Sequence, residues 1–361
     1  MSSLYVHIPF CDHICTYCDF CKVFYKEDWA DRYLDALTYE IQDKQITKQY
    51  DTIYIGGGTP SSLSYQQLKR LFDILEPLSH QVKEYSIEVN PESMTKDKID
   101  LLKTYHINRV SIGVQSFHDE ILKGIGRCHS SLQAIQLIPL LKENHINDIN
   151  VDLIYGLPNQ TLEDIYRDID LLNQLDVSHI SIYSLILEEH TVLKMNHYQP
   201  LDDEQDAYWY DCINHYLQKN GFHQYEVSNY YKKKRSMHNL VYWHYKDYDG
   251  IGLSAHSLKK HHRFENTNSL TKYLQHDYLK EDIILKKEDE LFEKIMMGLR
   301  LKEGIHIEEM NQIFNIDFVK KYQFIIEKNI NKGLLEIDDC YMKTTPLGMK
   351  YLNDILIDFM D

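Results

Sequence analysis

Short runs rich in Val, Ile and Tyr recur through the first half of the chain with amphipathic helical segments between them, and this alternation limits the fold more than any other feature. The runs are Leu4–Pro9, Thr52–Ile55, Tyr85–Val89, Arg109–Val114, Ile149–Ile154 and His179–Ile186. β-Branched and aromatic residues favour a pleated, buried surface, and turn chemistry such as Gly56-Gly57-Gly58 or Gly156-Leu157-Pro158 follows most of the runs. Between them, Tyr65–Leu78 sets Leu68, Leu71, Phe72 and Leu75 on one helical face behind a capping Ser64. Leu132–Glu143 repeats the spacing with Ile135, Leu137, Ile138 and Leu141, and Leu162–Leu175 opens on Thr161. Strands that alternate with helices pair in parallel and are covered by those helices. Six such units predict an α/β fold, a partial (β/α)6 TIM-like barrel, with a doubly wound open sheet as the alternative. In either shape ligands gather past the carboxyl ends of the strands.

The pattern changes beyond residue 200. A helix is predicted over Asp203–Lys219, an aromatic and His-rich region over Phe222–Arg263, and a small helical unit from Glu288 with a β-ribbon near Leu334–Thr344. The expected divisions are a barrel over 1–200, an extension packing on it over 201–285, and a small, mostly helical C-terminal domain over 286–361. With 43% hydrophobic and 26% charged residues among 361, the chain is neither disordered nor a disulfide-stapled miniprotein. A net charge of −16 argues against nucleic acid and against broad adhesion to anionic lipid. No run reaches the roughly 20 apolar residues of a transmembrane segment. Met1–Phe10 lacks the basic-then-apolar order of a signal peptide. The expected location is the cytoplasm, with attachment at the membrane periphery left open.

Four of the seven cysteines crowd between Cys11 and Cys21, while Cys128, Cys212 and Cys340 are scattered and read as small buried hydrophobes. Cys11, Cys15 and Cys18 form C-x3-C-x2-C directly after the first strand. Three thiolates can bind three irons of a cubane cluster and leave the fourth iron for a small molecule. A closed zinc site, completed by Cys21 or His13, is the alternative.

This cysteine spacing resembles that of the radical S-adenosylmethionine enzymes. Tyr5-Val6-His7-Ile8-Pro9-Phe10-Cys11, Cys15-Thr16-Tyr17-Cys18-Asp19-Phe20, Gly56-Gly57-Gly58-Thr59-Pro60-Ser61, Glu88-Val89-Asn90-Pro91, Gly113-Val114-Gln115-Ser116-Phe117, Gly126-Arg127 and Asp152-Leu153-Ile154-Tyr155-Gly156-Leu157-Pro158 follow in order. Together they are similar to the oxygen-independent coproporphyrinogen III oxidase branch. The decarboxylases of that branch carry C-x3-C-x2-C-x-C and a sizeable extension before it. Here Phe20 follows Asp19 and only ten residues precede Cys11, as in the HemW-type haem chaperones. Cys21, one place later than the decarboxylase cysteine, reads as a free thiol, with an off-register fourth ligand as the alternative.

The resemblance implies a radical S-adenosylmethionine fold in which Cys11, Cys15 and Cys18 hold a 4Fe–4S cluster. It assigns S-adenosylmethionine to Gly57, Gly58 and Thr59 at the methionyl end and to Glu88, Gln115, Arg127 and Asp152, with Tyr5, Tyr17, Ser184 and His256 as further contacts. The residue types suit these roles. Glycine lets the backbone approach a ligand closely, carboxylates favour a sulfonium cation, and the planar fork of arginine matches a carboxylate. The implied chemistry is one-electron reduction of the cluster and cleavage of a carbon–sulfur bond to give a deoxyadenosyl radical.

The segment His238-Asn239-Leu240-Val241-Tyr242-Trp243 resembles the H-N-x-x-Y-W element associated with haem in that family. It implies His238 as axial ligand, with Asn239, Tyr242 and Trp243 beside it as walls or donors. An aromatic core element is the plainer reading of the same residues. Lys232-Lys233-Lys234-Arg235, with Lys259, Lys260 and Arg263, forms local positive islands suited to haem propionates or an anionic membrane, or simply a solvated loop. The expected function is a haem chaperone whose partners are haem and acceptor haem proteins, respiratory ones at the membrane among them. The sequence leaves a homodimer open. The alternatives are an oxygen-independent coproporphyrinogen III dehydrogenase and a zinc-binding interaction protein.

Overall fold

The computed structural model describes residues 1–338 and 340–360. Strands β1 (Ser3–Ile8), β2 (Thr52–Gly57), β3 (Glu84–Val89), β4 (Arg109–Gln115), β5 (Asp148–Tyr155) and β6 (His179–Ser184) lie side by side, parallel and in chain order. Nearly every residue of these strands is buried, as expected of a parallel sheet covered on both faces. Helices α1 (Glu27–Asp43), α2 (Tyr65–Leu75), α3 (Lys96–Thr104), α4 (Ser131–Glu143) and α5 (Leu162–Gln174) supply the outer layer. Ser64, Ser130 and Thr161 cap α2, α4 and α5 in reciprocal boxes with Gln67, Gln133 and Asp164. Each cap contributes on the order of 1 kcal/mol. Pro77 ends α2 early and tightens Glu76–Leu78 into a 3-10 turn, because proline lacks the amide donor an α-helix needs. Sequence periodicity carries that helix to Leu78, three residues too far, and β6 to Ile186, two residues too far.

The region after residue 200 extends the sheet instead of only packing against it. Strand β8 (Asn229–Tyr231) joins β6 antiparallel, β7 (His223–Gln224) pairs antiparallel with β8 in turn, and β9 (Asp249–Ile251) joins β1 in parallel. The order is β9-β1-β2-β3-β4-β5-β6-β8-β7, so the two edges do not meet and the barrel is partial. Helix α6 (Asp203–Lys219) lies outside and stacks Tyr216 on Tyr166 of α5.

The short helix α7 (Met237–Trp243) instead packs against β2 and the start of β3. The carboxylate of Glu84, at the start of β3, accepts the backbone amides of Met237 (2.7 Å) and His238 (2.9 Å). A buried carboxylate at a helix N-terminus satisfies donors that otherwise lack partners. A three-stranded antiparallel sheet, β10 (His256–Lys259), β11 (His262–Asn266) and β12 (Leu279–Ile284), follows β9.

Beyond it, α8 (Lys287–Gly298) leads into helices and a small sheet of β13 (Ile305–His306), β14 (Leu335–Ile337) and β15 (Tyr341–Thr344). These close on their own apolar cluster, which includes Ile295, Met310, Phe318 and Ile355. Among the described residues no helix is long and apolar enough to cross a membrane.

Candidate functional site

A cavity of about 340 Å³ opens at the carboxyl ends of the parallel strands, where the fold places ligands. The loop after β1 forms one wall. Its ends are fixed by Val23 N–H donating to the Pro9 carbonyl (2.8 Å) and Tyr25 N–H donating to that of Cys11 (2.9 Å). Inside the loop, Cys18 N–H donates to the Cys15 carbonyl (3.3 Å) and Lys22 Nζ to the Cys18 carbonyl (2.7 Å). Cys11, Cys15 and Cys18 all line the cavity as free thiols. Burial pushes the Cys11 thiol up to about 11, against the lowering effect of its 3.4 Å contact with Thr59 Oγ1. Burial also raises Cys18, opposed by Lys22. Thiols held protonated in this way release their protons when a metal takes them.

Cys21 does not line the cavity; it packs against the main apolar core, which accords with a free thiol. The zinc alternative needs donors gathered around one point, about 3.8 Å apart for sulfurs at ordinary zinc distances. No three His, Cys, Asp or Glu side chains among the described residues are gathered that way. A cubane spreads its thiolates over different irons and does not require donors gathered around one point. Of the scattered cysteines, Cys128 and Cys340 are exposed and Cys212 is half-buried, so they are not the buried hydrophobes expected.

The second wall is the glycine turn after β2. Gly57 has φ +119°, and a Cβ there would lie 2.8 Å from the His7 ring; one on Gly58 would lie 2.8 Å from the Pro9 backbone. Only glycine lets this turn run flush against β1. Asn90 Nδ2 donates to Thr59 Oγ1 (3.2 Å) and so joins the turn to the end of β3.

Two carboxylates face the space from adjoining strands. Glu88 accepts from the Tyr54 hydroxyl (2.8 Å) and the Gly57 amide (3.0 Å), yet burial, with the neighbouring Asp152 charge, raises its pKa to about 7. Asp152 accepts from Ser111 Oγ (3.0 Å) and Asn150 Nδ2 (2.7 Å), and burial raises it as well. Such a pair favours a cationic ligand.

Arg127 brings its guanidinium to the cluster loop, with Nη1 3.6 Å from Cys15 Sγ and Nη2 donating to Asn90 Oδ1 (3.0 Å) and the Gly113 carbonyl. Its Nε is buried without a partner, a donor left for a ligand. Gln115 ends β4 at φ +72°, just where the register with β5 slips. Strain of this kind on a non-glycine residue concentrates at functional sites.

Thus Tyr17, Gly57, Gly58, Thr59, Glu88, Gln115, Arg127, Asp152 and Ser184 surround one space with the three cysteines. The Ser184 hydroxyl is engaged by Asp206 of α6. Two expected contacts lie elsewhere. The Tyr5 hydroxyl donates to His7 Nδ1 (3.0 Å), whose Nε2–H donates to the Cys21 carbonyl (2.9 Å), so Tyr5 braces the cluster loop from behind the wall. His256 sits on β10, exposed and away from the cavity, because the loop after β9 carries it beyond the sheet edge.

The H-N-x-x-Y-W residues diverge. His238 is 1% exposed. Thr52 donates its own proton to Ser3, so His238 Nδ1 donates to Thr52 Oγ1 (2.9 Å) and Nε2 accepts from the Tyr242 hydroxyl (2.8 Å). Burial lowers the pKa of this neutral ring to about 3. With both nitrogens engaged, His238 is not free to hold iron in this structure. Asn239 lines the cavity, whereas Trp243 lines a separate groove of about 130 Å³ with His244 and His306.

Four of the seven cations in the positive islands form close ion pairs within the chain. Lys233 pairs with Asp176 (3.2 Å), Arg235 with Glu303 (2.9 Å), Lys259 with Asp249 (2.6 Å) and Arg263 with Glu293. Residues that sequence reasoning passed over include Tyr54, Asn150 and the bracing His7. Stepping two residues back along β5 from Asp152 reaches Asn150 on the same face, since side chains alternate, whereas no such step from an expected contact reaches Tyr54.

Two family models match this chain: "Radical SAM superfamily" over residues 5–172 and "HemN C-terminal domain" over residues 285–351. "Heme chaperone HemW" of Lactococcus lactis subsp. lactis is 38% identical, covering 99% of this chain and 97% of that protein. "Heme chaperone HemW" of Bacillus subtilis is 34% identical, covering 100% of this chain and 99% of that protein. Among solved structures, coproporphyrinogen III oxidase (HemN) from Escherichia coli superposes with a TM-score of 0.88 at 24% identity, covering 99% of this chain and 89% of that one, which establishes the shared fold. From full-length identity to these relatives, with the matching fold, the chain belongs to the HemW family of the radical S-adenosylmethionine superfamily.

Proposed function

We propose that this chain is a haem chaperone of the cytoplasm that binds a 4Fe–4S cluster and S-adenosylmethionine, takes up haem and passes it to acceptor haem proteins, respiratory ones among them. One observation carries the cofactor half of this reading: a single cavity gathers three free thiols, a glycine turn that tolerates no side chain, and the facing Glu88, Gln115, Arg127 and Asp152. The haem half is supported by the names that the full-length relatives carry.

In this reading Cys11, Cys15 and Cys18 hold the cluster, which supplies an electron to S-adenosylmethionine when both are bound. The Gly57–Thr59 turn brings backbone against the methionyl end. Arg127 offers its unpartnered Nε to the ligand carboxylate, while Glu88 and Asp152 face the amino, sulfonium and ribose groups. Helix α7 supports the cavity floor and presents Asn239 to it. A ligand role for His238 requires its bond from Tyr242 to open.

The test loads anaerobic, cluster-containing protein with haem and adds an apo-haem protein. Transfer of the absorption bands to the acceptor is expected. Absence of haem uptake, or robust conversion of coproporphyrinogen III to protoporphyrinogen, overturns the reading.

A further inference from the structure

The H-N-x-x-Y-W segment presents no open iron ligand in this structure, since His238 is buried with both ring nitrogens hydrogen-bonded and Trp243 opens on another groove. The mouth of the cysteine-lined cavity has a character its interior lacks. Phe20 on the cluster loop is 67% exposed, and Tyr183 and Ile186 at the end of β6 are 42% and 74% exposed; all three line this opening. Single exposed apolar residues are ordinary, but several around one cavity mark a surface that apolar matter covers. The polar interior, with Glu88, Asp152 and Arg127, suits a small charged cofactor, so the apolar rim is left for a second, flatter ligand.

Two further side chains at the same opening fit a metallated, carboxylated ring. His13, between Cys11 and Cys15, lines the cavity and is exposed, so its imidazole is open to a metal. Lys22 also lines it and gives two of its three ammonium protons to the Cys18 and Phe20 carbonyls (2.7 and 3.1 Å), leaving one for a carboxylate.

We propose that haem is seated across the cavity mouth, its macrocycle against Phe20, Tyr183 and Ile186, its iron on the His13 imidazole and a propionate on Lys22. This rests on the haem-binding reading above and says where on the chain that binding occurs.

The test is haem titration followed by absorption, on anaerobic protein with its cluster in place and iron and sulfide counted for every variant. His13→Ala is expected to shift the Soret band of bound haem. Phe20→Ser with Ile186→Ser is expected to weaken binding about tenfold or more, from lost apolar contact. Ile186→Ser alone, outside the cluster loop, is expected to weaken binding with iron and sulfide unchanged. If wild-type protein takes up no haem, the functional reading fails and the seat with it. If wild-type protein binds haem and these variants match it in band and affinity, the seat alone is overturned. Loss of the band in His244→Ala but not in His13→Ala moves the seat to the Trp243 groove and likewise overturns the proposal.

Discussion

Glu88 offers a titration that reports directly on the proposed S-adenosylmethionine pocket. Burial, then the charge of Asp152, lifts its pKa to about 7, while Tyr54 and the Gly57 amide steady the ionised form. The folded value lies above that of an unfolded glutamate, so the carboxylate becomes the main species only as pH rises through about 7. A sulfonium ligand that needs this carboxylate must expel a proton at lower pH. At pH 6 about ten in eleven empty sites carry that proton, against about one in eleven at pH 8. The dissociation constant of S-adenosylmethionine therefore rises about tenfold between pH 8 and pH 6, about 1.4 kcal/mol. Equilibrium dialysis on cluster-loaded, anaerobic protein measures this, with Glu88→Gln as the reference. The ratio of wild type to variant cancels titration of the ligand itself. Glu88→Gln is expected to bind weakly and to lose the Glu88-linked slope. Equal slopes in the two proteins refute the assignment of Glu88 to the cation.

Two further outcomes follow from the packing. Glu84→Ala strips the buried acceptor from the amides of Met237 and His238 and from the Ser236 hydroxyl (3.2 Å); it is expected to cost about 3 kcal/mol and lower the melting temperature by several degrees in calorimetry. An unchanged melting temperature contradicts the role of Glu84 in holding α7. Cys21→Ser is expected to keep the iron and sulfide content of wild type, because Cys21 lies off the cavity; loss of iron on that substitution makes it a ligand.

Much of the fold was legible because parallel strands buried on both faces have to be apolar. The six runs from Leu4 to Ile186 match β1 to β6 within a few residues. The cysteine loop and Gly58-Thr59 lie past strand ends as the alternation required, whereas Gln115 is the last residue of β4, and Glu88 and Asp152 project from within β3 and β5. Strand β9 was not legible: three residues, Asp249-Gly250-Ile251, carry too little pattern, and their pairing with β1 is a contact across most of the chain. The surroundings of the H-N-x-x-Y-W segment were illegible for a related reason. A histidine in a polar, aromatic motif reads the same whether its nitrogens meet a ligand or Thr52 and Tyr242, and only the approach of β2 to α7 distinguishes the two. His256 shows the limit of carrying a contact over by motif alone, since the turn after β9 sets its direction.

Electron paramagnetic resonance of anaerobically reduced protein, before and after S-adenosylmethionine is added, probes the central assignment most directly. A signal of a reduced 4Fe–4S cluster that shifts with the ligand, and that is lost when Cys11, Cys15 or Cys18 is replaced by Ala, is predicted. A signal that ignores the ligand, or that survives those replacements, contradicts the account.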